Sequence, residues 1–151
     1  MVKQLKKEKK VEEIKKEPVK KVSFYQAIGR RKESTARVRL LVGGKGEIIV
    51  NNKPVEEYFK NIPKVLFLKP FNLTKTEGKY YFTAIINGGG IFGQLGAFIH
   101  GISRILSKEQ EGKFHKVLKS AGLLTRDSRE KERRKPGNAQ KARAKKQSPK
   151  R

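Results

Sequence analysis

The chain has 151 residues, with 38 Lys and Arg against 14 Asp and Glu, a formal charge of +24. That length suits one compact domain with appendages, and so strong a positive field calls for an anionic partner, for which nucleic acid fits best. The absence of cysteine excludes disulfide frameworks and thiolate metal sites.

Residues 1–23 hold nine Lys and four Glu (Glu8, Glu12, Glu13, Glu17) around a few small apolar side chains. They contain no apolar run for a secretory signal and no Arg for a mitochondrial transit peptide. A disordered, Lys/Glu-rich solubilising arm is expected there. Residues 24–125 carry nearly all the aromatic and long aliphatic side chains and are expected to form the globular core. Within it, Ala36, Val38, Leu40 and Val42 alternate with Arg37 and Arg39, a strand with one apolar and one basic face. Gly43-Gly44-Lys45-Gly46 then leads into Glu47–Val50, which predicts a β-hairpin. Asn51-Asn52 ends that strand. Pro54 to Phe59 reads as a short helix entered through proline, and Ile62 to Leu68 as another, stopped before Pro70. Lys79 to Asn87 predicts a strand with Tyr81, Thr83 and Ile85 on one side and Tyr80, Phe82 and Ile86 on the other.

After Gly88-Gly89-Gly90, a helix is predicted from about Ile91 to Ser107, with Leu95, Ile99, Ile102 and Leu106 as its core stripe. A second, roughly Lys108 to Ala121, should bury Phe114, Val117 and Leu118 and stop at Gly122. Asp127 and Glu130 could cap a further short basic helix ending before Pro136-Gly137. Residues 126–151 form a basic C-terminal tail, and from Arg133 onward it has nine cations and no acid. Such a segment is expected to order on its target. Strands followed by helices suggest an α+β fold, with helices packed on a mixed sheet.

Three motifs have competing readings. Gly88-x-Gly90-x-x-Gly93 follows a strand, opens a helix and matches a dinucleotide fingerprint, with Glu109 and Glu111 downstream. The fingerprint requires a second parallel strand bearing the acid, and none is predicted, so cofactor binding fails on topology. Gly89, Gly93, Ala97 and Gly101 form a small-residue ladder that would suit membrane helix packing, but Gln94, His100 and Arg104 interrupt it. Close packing against the sheet, or against RNA backbone, explains it better. Gly29-Arg30-Arg31-Lys32 precedes the Arg37 and Arg39 strand. With only Glu33 to offset them, these five cations favour phosphate binding over a solvated charged loop. For catalysis no constellation is legible. Glu56 and Glu57 are adjacent on a helix and face apart, and no His–carboxylate arrangement accompanies a Ser or Thr. His100, on the small-residue side of its helix, and His115, on a basic side, read as packed or surface histidines, too far apart in sequence to suggest a metal site.

Several segments in one order carry a family resemblance. Gly29-Arg30-Arg31-Lys32 with Thr35-Ala36-Arg37-Val38 resembles the opening of the bacterial-type small-subunit ribosomal protein nine family. So do GGGIFGQLGAFIHGISRIL (Gly88 to Leu106), AGLLTRDSREKERRKPG (Ala121 to Gly137) and QKARAKKQSPKR (Gln140 to Arg151). The resemblance implies a small two-layer α/β sandwich like the second domain of ribosomal protein five. It further implies a structural role in the cytoplasmic ribosome, in the head of the small subunit. There the chain would meet the 3′ major domain of ribosomal RNA and neighbouring head proteins, with no cofactor, no metal, no membrane and no enzymatic activity. The residues expected on ribosomal RNA are Arg30, Arg31, Lys32, Arg37, Arg39 and Arg104, then Arg126, Arg129, Arg133, Arg134 and Lys135, and finally Lys141, Arg143, Lys145 and Lys146. The family's C-terminus touches peptidyl-site tRNA, a role that falls by position on Lys150 and Arg151. Ser148-Pro149 stand where the family usually has an aromatic residue and Ser, which removes any stacking by that ring. Two other classes remain as alternatives. A histone-like architectural binder rests on charge alone, and a nucleotide-dependent enzyme rests on Gly88 to Gly93.

Overall fold

The computed structural model describes residues 24–41, 46–109, 112–138 and 140–143. The expected N-terminal arm and the turn residues Gly43 to Lys45 therefore lie outside the described residues. The elements run β1 (Phe24–Arg31), β2 (Ser34–Leu41), β3 (Ile48–Val50), β4 (Lys53–Pro54), α1 (Val55–Tyr58), α2 (Lys64–Thr74), β5 (Tyr81–Asn87), α3 (Ile91–Lys108) and α4 (His115–Ser120). The strands form one mixed sheet in the order β1-β2-β5-β3-β4, in which only the β3–β5 pair is parallel. Helices pack on one face of it, as expected for an α+β fold.

Alternation along the strands makes that face apolar. Ala27, Ala36, Val38, Leu40, Phe82, Ala84, Ile86 and Val50 are buried beneath the helices with Leu95, Ala97, Phe98, Ile102, Ile105 and Leu106 of α3. Phe59 knits the layer together, its ring 6.2 Å from Phe67 and 5.8 Å from Phe98.

Four sequence expectations are corrected. β2 and β3 do not form a hairpin. β5 lies between them, antiparallel to β2 and parallel to β3, with Ile48 opposite Phe82. The buried trio Phe82, Ala84 and Ile86 takes a central position, where neighbours on both sides satisfy its backbone. β2 instead pairs with β1, which the sequence reading missed because its period is obscured by Gly29, Arg30 and Arg31. Second, α2 runs from Lys64 through Pro70 to Thr74, with Phe67, Pro70, Phe71 and Thr74 buried on one face. Burying two phenylalanines contributes about 2 kcal/mol or more each, enough to offset a proline penalty of about 3 kcal/mol.

Third, the helix expected from Lys108 is shorter. Gly112 breaks it at φ 82, and α4 spans only His115–Ser120, with Leu118 buried and Val117 exposed. Its end is as expected. Gly122, at φ 72, donates to the Lys119 carbonyl, and Leu123 donates to that of Leu118, the paired bonds of a Schellman ending. Fourth, no helix forms over 126–135. Asp127, the expected cap, is held instead by Arg31 of β1 and by the Arg129 side chain and N–H.

The glycine ladder is a packing device. A Cβ at Gly29 would collide with the Ala97 carbonyl oxygen and one at Gly101 with Val38, while side chains at Gly89 or Gly93 would strike the Ser34 hydroxyl. Nor does any strand follow α3 among the described residues. No described helix is long and apolar enough to cross a membrane.

Candidate nucleic-acid interface

Two tight turns set the register of the uncovered face. Lys32, at φ 50, and Glu33 link β1 to β2, with Arg31 opposite Ser34. Asn51 and Asn52, at φ 47 and 64, link β3 to β4, the left-handed pair that a type I′ turn requires. The Asn51 amide then behaves as an extra strand residue. Its Oδ1 accepts from the Ile86 N–H and its Nδ2 donates to the Ile86 carbonyl, both at 2.9 Å. The network continues from the Tyr58 hydroxyl to Gln94 Oε1 at 2.9 Å, and from Gln94 Nε2 to the Gly88 carbonyl at 3.2 Å.

The face away from the helices is ordered in rows. Ile28, Arg37 and Ile85 form one; Gln26, Arg39, Thr83 and Ile49 the next; Phe24, Leu41 and Tyr81 a third. An open hollow of about 710 Å³ lies over these rows, rimmed by Arg104 and Lys108 and lined by no carboxylate. Phe24, Ile28 and Ile85 stay exposed. The Arg39 guanidinium lies 5.5 Å from the centroid of the Phe24 ring, which steers its planar fork while leaving donors for an anion. Cations beside the Phe24 and Tyr81 rings suit a polyanion that also presents rings.

Along the free edge of β1, α3 supplies two side chains. Arg104 Nη1 donates to the Ile28 carbonyl at 2.6 Å, and the Arg30 N–H donates to His100 Nδ1 at 3.3 Å. The second His100 nitrogen lies 3.3 Å from the Leu124 carbonyl oxygen. With Nδ1 accepting, Nε2 carries the proton and donates to it, so the bonded ring is neutral. Burial and the nearby Arg104 and Arg126 hold its pKa below the usual histidine value, against the opposing effect of the two backbone bonds.

The cations expected on ribosomal RNA thus fall into groups. Arg30, Arg37, Arg39, Arg104 and Arg126 gather on one side of the molecule, since Ile28 and Arg104 line both the sheet hollow and the adjoining recess that contains Arg30 and Arg126. Lys32 is exposed at the hairpin turn. Arg31 points to the helix side, lies across Gly96 and pairs with Asp127 at 3.1 Å. Asp127 is also held by the Arg129 side chain and N–H, which together with Arg31 keep its carboxyl far below the usual range. Arg143 makes a forked pair with Glu132, which lowers the Glu132 pKa. The Lys135 N–H donates to the Lys141 carbonyl, so residues 132–143 close on themselves around Pro136-Gly137. Arg133, Arg134, Lys135 and Lys141 are exposed and carry no ion pair among the described residues. Lys145, Lys146, Lys150 and Arg151 lie outside the described residues.

Sequence reasoning missed Gln26, Phe24, Tyr81 and Thr83 as companions of the arginines, and missed Lys108. The alternation of Tyr81, Thr83 and Ile85 was legible, but its neighbours were hidden until β1 and β5 were seen to flank β2.

Comparison with known proteins agrees with the sequence resemblance. Residues 29–151 match the family described as Ribosomal protein S9/S16. A protein of Rickettsia prowazekii (strain Madrid E) called small ribosomal subunit protein uS9 is 50% identical, over 100% of this chain and 94% of its own length. Proteins of the same name from Rickettsia conorii (strain ATCC VR-613 / Malish 7) and Rickettsia canadensis (strain McKiel) are each 48% identical, covering 99% and 89% of this chain and 92% and 83% of their own. With a matching family pattern over most of its length and relatives this similar across nearly all of it, the chain belongs to the ribosomal protein S9/S16 family.

Proposed function

We propose that this chain is a structural constituent of the small ribosomal subunit in the cytoplasm, binding ribosomal RNA in the subunit head and touching peptidyl-site tRNA with its C-terminal end. Family membership over residues 29–151 carries the reading. The carboxylate-free hollow between Arg37, Arg39 and Arg104 supports it, because phosphate contact needs only reachable charges of the right sign. In this reading residues 24–125 form the RNA-binding body, residues 126–151 the tail, and residues 1–23 an extension outside the body. Arg30, Arg37, Arg39, Arg104 and Arg126 meet RNA directly. Arg129 and Arg143 can reach it only by sharing or leaving the carboxylates that hold them. Lys32, Arg133, Arg134, Lys135, Lys141, Lys145 and Lys146 add phosphate contacts, Arg31 chiefly anchors the tail, and Lys150 and Arg151 take the tRNA.

Tagged protein is expected to co-sediment with small subunits and to protect head nucleotides from chemical probes. Removing Lys150 and Arg151 should weaken tRNA retention in the peptidyl site while subunits still assemble. Unchanged tRNA binding by purified truncated subunits would refute the role given to the tail, and recovery of the protein only in fractions without small subunits would refute the whole reading.

A further inference from the structure

Beside the sheet hollow lies a separate recess of about 380 Å³ lined by Ile28, Arg30, His100, Arg104 and Arg126. Its three guanidinium groups come from β1, α3 and the first residues of the tail, and none has an ion-pair partner among the described residues. No Phe, Tyr or Trp side chain lines it. We infer that this recess seats one phosphate group of an RNA backbone, and that the bound phosphate fastens the root of the tail to the edge of the sheet. The inference rests on the RNA-binding reading above and adds to it a defined anion seat with a mechanical consequence.

Three features make the recess a built site. Arg104 is already fixed by its 2.6 Å bond to the Ile28 carbonyl, which leaves its remaining N–H groups for a ligand. His100 bridges the Arg30 N–H and the Leu124 carbonyl. That bridge brings Leu124 to the strand edge and lets Arg126, two residues on, reach the same space. The ring meets Arg30 from β1, Arg104 from its own helix and Arg126 from the tail, and while neutral it adds no fourth charge to the cluster. Three like charges around one concavity repel each other until an anion sits among them, and a phosphate can accept from several guanidinium forks at once. Because Arg126 is the tail's contribution, occupancy joins tail to body.

The full chain in a phosphate-free, low-salt buffer can be titrated with inorganic phosphate, and separately with a short single-stranded RNA, against sodium chloride at matched ionic strength. Side-chain NMR signals of Arg30, Arg104, Arg126 and His100 are expected to shift saturably with both anions beyond the chloride control. The backbone of residues 124–127 should become more rigid as they do. Arg126→Gln should weaken phosphate binding about tenfold, the usual effect of losing one charged hydrogen bond. Arg126→Lys should weaken it less, and Lys60→Gln not at all. Arg104→Gln also breaks the bond to Ile28, so the exposed Arg126 is the decisive position. Equal, unsaturable shifts of all basic side chains, matching chloride, would overturn the inference. Phosphate binding without RNA binding would overturn the assignment to an RNA backbone. A wild-type protein that co-sediments with small subunits but shows no saturable phosphate binding would sink this inference alone, whereas failure to co-sediment would sink the ribosomal reading.

Discussion

At the scale of single residues, the basic motif that opens the family resemblance divides its labour. Gly29 has no chemistry to offer RNA. It is needed because α3 crosses β1 so closely that a methyl group would meet the Ala97 carbonyl oxygen. Gly29→Ala is therefore expected to cost about 3 kcal/mol, the upper end for overpacking, since backbone rather than a movable side chain must yield. Urea denaturation checks this, and a cost below 1 kcal/mol would contradict the close crossing. Asn51→Gly keeps the left-handed turn while deleting the amide that serves Ile86. A loss of about 2 kcal/mol is expected, because a buried N–H and C=O lose their partner together. His100 gives a pH effect whose sign follows from its lowered pKa. The unfolded chain binds the proton more readily, so stability is full above the unfolded value near 6.5 and declines as pH falls below it. In His100→Gln, the part of that decline between about pH 7 and pH 5 due to this ring should vanish from the urea midpoint profile.

Elements show where sequence reasoning succeeds and where it runs out. The long α3 was legible because Leu95, Ile102 and Leu106 repeat on a single face and bury together, and β5 because its alternation is regular. β1 was hidden because its inward positions are Ala27, Gly29 and Arg31, small or charged side chains that give no apolar period. The placement of β5 between β2 and β3 is a tertiary choice that local pattern does not encode. The basic face of β2 was readable, but not that Phe24, Tyr81 and Thr83 would share it. The tail's first turn shows the same limit. Asp127 has the composition of a helix cap, yet Arg31, distant in sequence, recruits its carboxylate. Asp127→Asn should free residues 126–130, seen as faster amide exchange and greater mobility there, while the melting of the core stays nearly unchanged. Since the paired carboxyl titrates well below the ordinary aspartate range, the wild-type attachment should persist in mild acid and fail only as pH drops further.

For the whole molecule, charge governs affinity. RNA binding by the full chain should weaken steeply with salt as counterions return to the phosphates. Arg37→Gln combined with Arg39→Gln should lower the slope of log affinity against log salt by about 2. An unchanged slope would place RNA elsewhere on the protein. The ends of the sheet bear on how the protein survives before it has a partner. At one edge the outward carbonyl of Ile28 and the outward amide of Arg30 are occupied by Arg104 and His100. The other edge is the two-residue β4, which ends on Pro54. Arg104 and His100 at the first border and Pro54 at the second interrupt the backbone groups on which another copy could add its own strand. Such interruptions hinder pairing between newly made chains while their cations wait for RNA.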